Sequence, residues 1–106
     1  MQHISAKQLK SLISDEKSEL FLLDVREENE FKYCHIAGST LIPMQTIPNR
    51  LNDLPKDLPI VTICHHGMRS QQVAQFLLQN GFSNIINLDG GVHAWAADVD
   101  NNMPTY

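Results

Sequence analysis

The segment Cys64-His65-His66-Gly67-Met68-Arg69 sets a thiol at one end of a short run and a guanidinium at the other. Those residue types suit a nucleophile that faces an anion. The run follows the apolar stretch Ile60-Val61-Thr62-Ile63-Cys64 and opens into a helical pattern from Ser70 to Asn80. A thiol at a helix N-terminus beside His and Arg has its thiolate favoured by partial positive charge, and the thiolate is the reactive form. Gly67 lets the chain curl so that successive N–H groups converge as a nest for an anion bonded to the sulfur. Arg69 is the only Lys or Arg from Asp57 to Tyr106, so a cation stands in that half of the chain only where the loop closes. A lone cysteine here would be read as a small buried hydrophobe. Strand, glycine, arginine and helix in one register favour a nucleophile, with the backbone of His65 to Arg69 as its anion cradle.

The elements that must position this loop are legible as periodicity. Ser5 to Ile13 starts on an N-cap residue and sets Leu9, Leu12 and Ile13 on one helical face. Apolar runs at Leu20 to Val25, Thr40 to Ile42, Ile60 to Cys64 and Ile85 to Leu88 lack polar alternation, as strands covered on both faces do. Between them, Glu27 to Tyr33 and Thr46 to Leu54 read as short helices, the second with Pro48 in its first turn. Ser70 to Asn80 reads as the clearest helix, with Val73, Ala74, Leu77 and Leu78 as its buried stripe and Gly81 as its stop. Strands separated by helices at this rhythm predict an α/β class with a mostly parallel central sheet flanked by helices. Residues 1–106 are expected to form one domain, with 98–106 an irregular arm that packs through Met103 and Tyr106.

Composition excludes several classes of function. Twelve acidic against eight basic residues leave a net charge of -4, which argues against a nucleic-acid or membrane-surface footprint. Two cysteines, Cys34 and Cys64, are too few for a disulfide framework and lack the paired spacing of a zinc site. Free thiols, no metal and no organic cofactor are therefore expected. Residues 1–12 carry His3, Lys7 and Lys10 among apolar residues and read as neither a secretory signal nor a spanning helix. A cytoplasmic protein is the simplest expectation.

Four motifs in order cover nearly the whole chain. They are Asp24-Val25-Arg26-Glu27 with Glu30-Phe31; His35-Ile36-Ala37-Gly38-Ser39 with Ile42-Pro43; the loop Cys64 to Arg69; and Leu88-Asp89-Gly90-Gly91-Val92 with Ala94-Trp95. Together they resemble the rhodanese family, specifically its small single-domain members. The resemblance implies sulfur transfer, in which Cys64 takes a sulfane sulfur from a small anionic donor such as thiosulfate. The resulting persulfide would pass that sulfur to cyanide, a thiol or a sulfur-accepting protein. Arg69 would orient the donor. Related phosphatases use a loop one residue longer between Cys and Arg, and the shorter interval here, His65 to Met68, favours a single sulfur atom over phosphate. A non-catalytic binding module of the same fold is the other alternative, and an intact Cys64, Gly67 and Arg69 speaks against it.

The remaining candidates carry weaker chemistry. Asp24 and Arg26 suit a structural ion pair or helix cap better than catalysis. His35 is expected to fix its turn by hydrogen bonds. His65 and His66 would tune the thiol or meet donor anions, and Met68 would stand with His66 around the pocket mouth. Cys34 occupies a place where the family usually has glycine, so it is either an inert thiol or a resolving one. Gly90 and Gly91 suit a tight strand-to-helix turn, and Trp95 suits core or rim packing.

Overall fold

The computed structural model describes residues 1–106. Five strands form one sheet in the order β1-β5-β4-β2-β3, with every neighbouring pair parallel. They are β1 (Gln2–Ile4), β2 (Phe21–Asp24), β3 (Thr40–Leu41), β4 (Ile60–Ile63) and β5 (Ile85–Leu88). The helices are α1 (Ala6–Ser14), α2 (Glu28–Tyr33), α3 (Met68–Gln79) and α4 (Gly91–Asp98). This is the α/β architecture that the alternation of apolar runs and helical patterns predicts.

Side chains of the central strand alternate between two cores. Ile60 and Cys64 pack with Leu23, Val73, Ala74 and Leu77 on one face. Val61 and Ile63 pack with Leu9, Leu22, Val92 and Trp95 on the other. Both faces of β4 are thus covered, which is why its sequence is apolar on both faces apart from Thr62.

Strand order places the site. The chain moves from β2 outward to β3, but from β4 in the opposite direction to β5, so β2 and β4 flank a reversal point. Parallel sheets open a crevice beyond the carboxyl ends of such strands. Register aligns Asp24 with Ile63, and Val25 donates to the Ile63 carbonyl at 2.9 Å. Asp24, Arg26 and Cys64 therefore leave the sheet side by side.

Two local expectations need correction, and one strand is additional. Thr46 to Leu54 is not an α-helix but two 3-10 turns, Met44–Asn49 and Leu51–Asp53. Pro48 has no N–H for an i→i−4 bond, and short 3-10 turns do without it. The helix placed at Ser70 begins at Met68, so the last two residues of the expected loop are already helical. The strand β1 has no counterpart in the periodicity, because three residues give no alternation to detect. It is formed by pairing with β5, Gln2 opposite Ile86 and Ile4 opposite Leu88.

Candidate active site

Cys64 follows β4 directly and is almost closed off, with 1% of its surface exposed. Its Sγ accepts a hydrogen bond from the Gly67 N–H at 3.0 Å. Gly67 caps α3 with φ of +108°, a left-handed conformation that L side chains rarely adopt. A Cβ there would also lie 3.2 Å from the Gly90 backbone nitrogen. The amides of the first turn of α3, which have no partner in the helical ladder, stand at the same end. One N–H already points at the sulfur, and partial positive charge collects around it.

The Gly67 peptide is held from behind by a buried polar cluster. Its carbonyl accepts from Ser70 Oγ at 3.1 Å and from Asn87 Nδ2 at 3.3 Å. Asn87 Oδ1 in turn accepts from Thr62 Oγ1 and shares the single Ser70 hydroxyl proton with that carbonyl. These three polar side chains are each at most 1% exposed, and the hydrogen bonds offset the cost of burying them. None of the three stands out as a site residue in the sequence. The available signal was Thr62 and Asn87 in the middle of otherwise apolar strands.

The last strand turn locks onto the loop. At its end, Gly91 takes a φ of +58°, and a Cβ there would collide with the carbonyls of Cys64 and His65. That close approach lets Val92 N–H donate to the Cys64 carbonyl at 2.9 Å and His93 N–H to the His65 carbonyl at 3.1 Å. The N-terminal amides of α4 are thereby satisfied by the cysteine loop itself. His65 and His66 lie 4.0 Å apart between ring centroids with their planes tilted by 39°, and the His93 ring stands 4.8 Å from that of His66. Burial first, then the neighbouring His66, holds the His65 imidazole below its ordinary value. Met68 is 77% exposed at the start of α3.

Arg69 is not a free cation. It forms a bidentate pair with Glu30, Nη1 to Oε2 at 2.8 Å and Nη2 to Oε1 at 2.9 Å. The Arg69 hydrogen bonds hold the Glu30 carboxyl down at about 2 and raise the guanidinium. Glu30 reaches this place because it also caps α2, accepting the Glu27 N–H at 2.8 Å. Both terminal nitrogens of Arg69 are thus engaged by Glu30.

Asp24 and Arg26 form a second bidentate pair, wholly buried, with Arg26 Nη2 2.7 Å from Asp24 Oδ2. Arg26 also donates to the Cys34 carbonyl at 2.7 Å and to Tyr106 Oη at 2.9 Å. The arm that holds Tyr106 returns over the loop: its ring stacks on His65 at 3.8 Å, and its hydroxyl donates to Glu30 Oε1 at 3.0 Å. Met103 packs against the core that holds Trp95. Cys34 is buried with its Sγ 4.0 Å from Arg26 Nη1, and both thiols are free. His35 lies apart from this constellation, its Nδ1 2.8 Å from the Phe31 carbonyl and its ring stacked on Phe31.

A family model for the rhodanese-like domain matches residues 5–98, nine-tenths of the chain and all of the loop just described. The chain belongs to the rhodanese-like domain family. It is 34% identical over 96 residues to the thiosulfate sulfurtransferase GlpE of Pseudoalteromonas translucida, covering 91% of this chain and 90% of that one. It is 38% identical to the putative sulfurtransferase YtwF of Bacillus subtilis, covering 93% and 94%. Among solved structures, a rhodanese-like domain protein from Staphylococcus aureus superposes with a TM-score of 0.86 at 33% identity, covering 100% of this chain and 99% of that one. The rhodanese-like fold is thus shared from end to end, and no helix is long and apolar enough to cross a membrane.

Proposed function

We propose that this rhodanese-like chain is a sulfurtransferase that carries sulfane sulfur as a persulfide on Cys64. The observation that carries this reading is the Gly67 N–H aimed at Cys64 Sγ at 3.0 Å, at the N-terminal end of α3. In the first half-reaction the Cys64 thiolate attacks the outer sulfur of thiosulfate. The Cys64 S–S bond forms as the donor's S–S bond breaks, and sulfite leaves with the bonding pair. In the second, cyanide or a thiolate attacks the terminal sulfur and the Cys64 thiolate departs with its electrons. This is nucleophilic catalysis in two displacements with no net redox change.

The Gly67 N–H and the first amides of α3 are suited to the charge that develops on the terminal sulfur, as an oxyanion hole is for oxygen. Their orientation is set in advance by Asn87 and Ser70 behind the Gly67 carbonyl. Arg69 takes part in holding an anionic donor by sharing or releasing Glu30. Relatives named thiosulfate sulfurtransferase support the donor class, and the small anion needs only the local field of the loop.

Intact-mass spectrometry of reduced protein before and after thiosulfate tests the reading. The expected result is a gain of one sulfur atom that disappears on adding cyanide and is absent in Cys64→Ala. Sulfur loading that persists in Cys64→Ala, or Cys64-dependent hydrolysis of para-nitrophenyl phosphate in its place, overturns it.

A further inference from the structure

We propose that His65, His66 and His93 form a binding site for a divalent late first-row transition ion of the Zn2+ class, on the outer lip of the Cys64 loop. The three imidazoles present nitrogen ligand atoms that all lie within 4.8 Å of one another. Tetrahedral zinc with nitrogen ligands needs neighbouring nitrogens about 3.3 Å apart, so small rotations of the two exposed rings close the set. This inference is independent of the sulfurtransferase reading, since it draws on imidazoles and not on the thiol.

The backbone builds the site in advance. His65 and His66 are consecutive in the loop, whereas His93 lies in the first turn of α4. The hydrogen bonds from Val92 N–H to the Cys64 carbonyl and from His93 N–H to the His65 carbonyl fix the spacing between these elements. His65 is further held by stacking on Tyr106 at 3.8 Å. Rigid placement on two tied elements is what distinguishes a metal site from a chance cluster of side chains.

One atom lacks an explanation otherwise. Nε2 of His65 is buried without a hydrogen-bond partner. A buried polar atom left unpaired is uncommon, and a bound ion would satisfy it. His66 and His93 are exposed, so an ion has a path in and keeps coordination positions open to water. Three imidazoles with no thiolate and no carboxylate among them suit zinc, copper or nickel and disfavour magnesium or calcium, which take oxygen ligands.

Zn2+ titration by calorimetry and Co2+ titration by visible absorption, both on tag-free full-length protein, test the proposal. One equivalent of either metal is expected to bind, with Co2+ bands of a nitrogen-ligated centre and no sulfur-to-metal charge transfer. His93→Ala and His66→Ala should each weaken Zn2+ binding by at least the ~10–100-fold seen for losing an outer-shell partner. Cys64→Ser, and His3→Ala as a control at a histidine paired elsewhere with Asp89, should bind as the parent does. Circular dichroism and thermal unfolding of the variants identify any that fail to fold, and His93→Gln serves as the milder replacement. Three results overturn the proposal: no binding at micromolar free metal, unaltered binding in folded His66 and His93 variants, or loss of binding in Cys64→Ser.

Discussion

Two arginine–carboxylate pairs flank the Cys64 loop, alike in chemistry and opposite in setting. Asp24–Arg26 is completely buried, and Arg26 spends its remaining donors on the Cys34 carbonyl and Tyr106. Glu30–Arg69 is bidentate too, but its side chains are 15% and 37% exposed. A buried pair has no alternative partner: separating it leaves an unpaired charge away from water. A half-exposed pair can exchange its partner for solvent or for an anion at small cost. The first pair thus holds the strand ends in place, and the second is the one that can exchange partners, as the proposed donor binding requires.

The largest effect is expected at the buried pair. Arg26→Met should destabilise the fold by about 3–5 kcal/mol, because Asp24 is left charged and buried. Adding Asp24→Asn should recover part of that loss, since the amide oxygen can still accept the Arg26-position backbone N–H that now donates to Asp24 Oδ1 at 3.1 Å. Urea unfolding of the single and double variants measures both. Equal stability of Arg26→Met and parent would remove the distinction between the pairs.

At the exposed pair the expected effect moves from stability to donor use. Glu30→Gln frees Arg69 from its carboxylate and should lower the KM for thiosulfate several-fold, while Arg69→Ala should raise it by a similar factor. Steady-state transfer to cyanide reads both. If the two substitutions raise KM alike, Arg69 serves only as an anchor for α2, and the pairs differ in burial but not in role.

Acid titration probes the exposed pair directly. Glu30 is held at about 2, against its ordinary 4.5, first by Arg69. Its lowered value means that the pairing contributes fully above about pH 4.5 and is lost as the pH falls through about 2. Discounted for the exposure of Arg69, the amount is about 1 kcal/mol. Denaturant midpoints of parent and Glu30→Gln should therefore converge over that window, and midpoints that stay parallel would contradict the pairing.

How much of this was legible in the sequence depends on the range of the interactions. The four apolar runs match four of the five strands to within a residue at their ends, because burial on both faces leaves a local mark. The Cys64–Gly67 turn was legible because glycine is required where φ is positive. Pro48 was visible, but what it does to a helix depends on the turn around it, and the segment became 3-10 turns. The partner of Arg69 was out of reach: Glu30 lies 39 residues away and comes close only once β2 and β4 are adjacent. His93 was missed for the same reason. Cysteine spacing carries no mark of three imidazoles brought together from two elements.

The smallest effect tests whether the two pairs are independent. Tyr106 links them: Arg26 Nη1 donates to its oxygen at 2.9 Å, and its hydroxyl donates to Glu30 Oε1 at 3.0 Å. Tyr106→Phe keeps the ring, and so the stack on His65, but removes both hydrogen bonds. Arg26 retains Asp24 and the Cys34 carbonyl, and Glu30 retains Arg69, so the loss should be near the ~0.5–1.5 kcal/mol of an ordinary hydrogen bond. A double-mutant cycle with Glu30→Gln then measures the coupling. A coupling energy close to the whole effect of Tyr106→Phe would mean that the hydroxyl acts through Glu30, tying the arm to the partly exposed pair. A coupling near zero would place its contribution on Arg26, and the arm would belong with the buried pair and the strand ends.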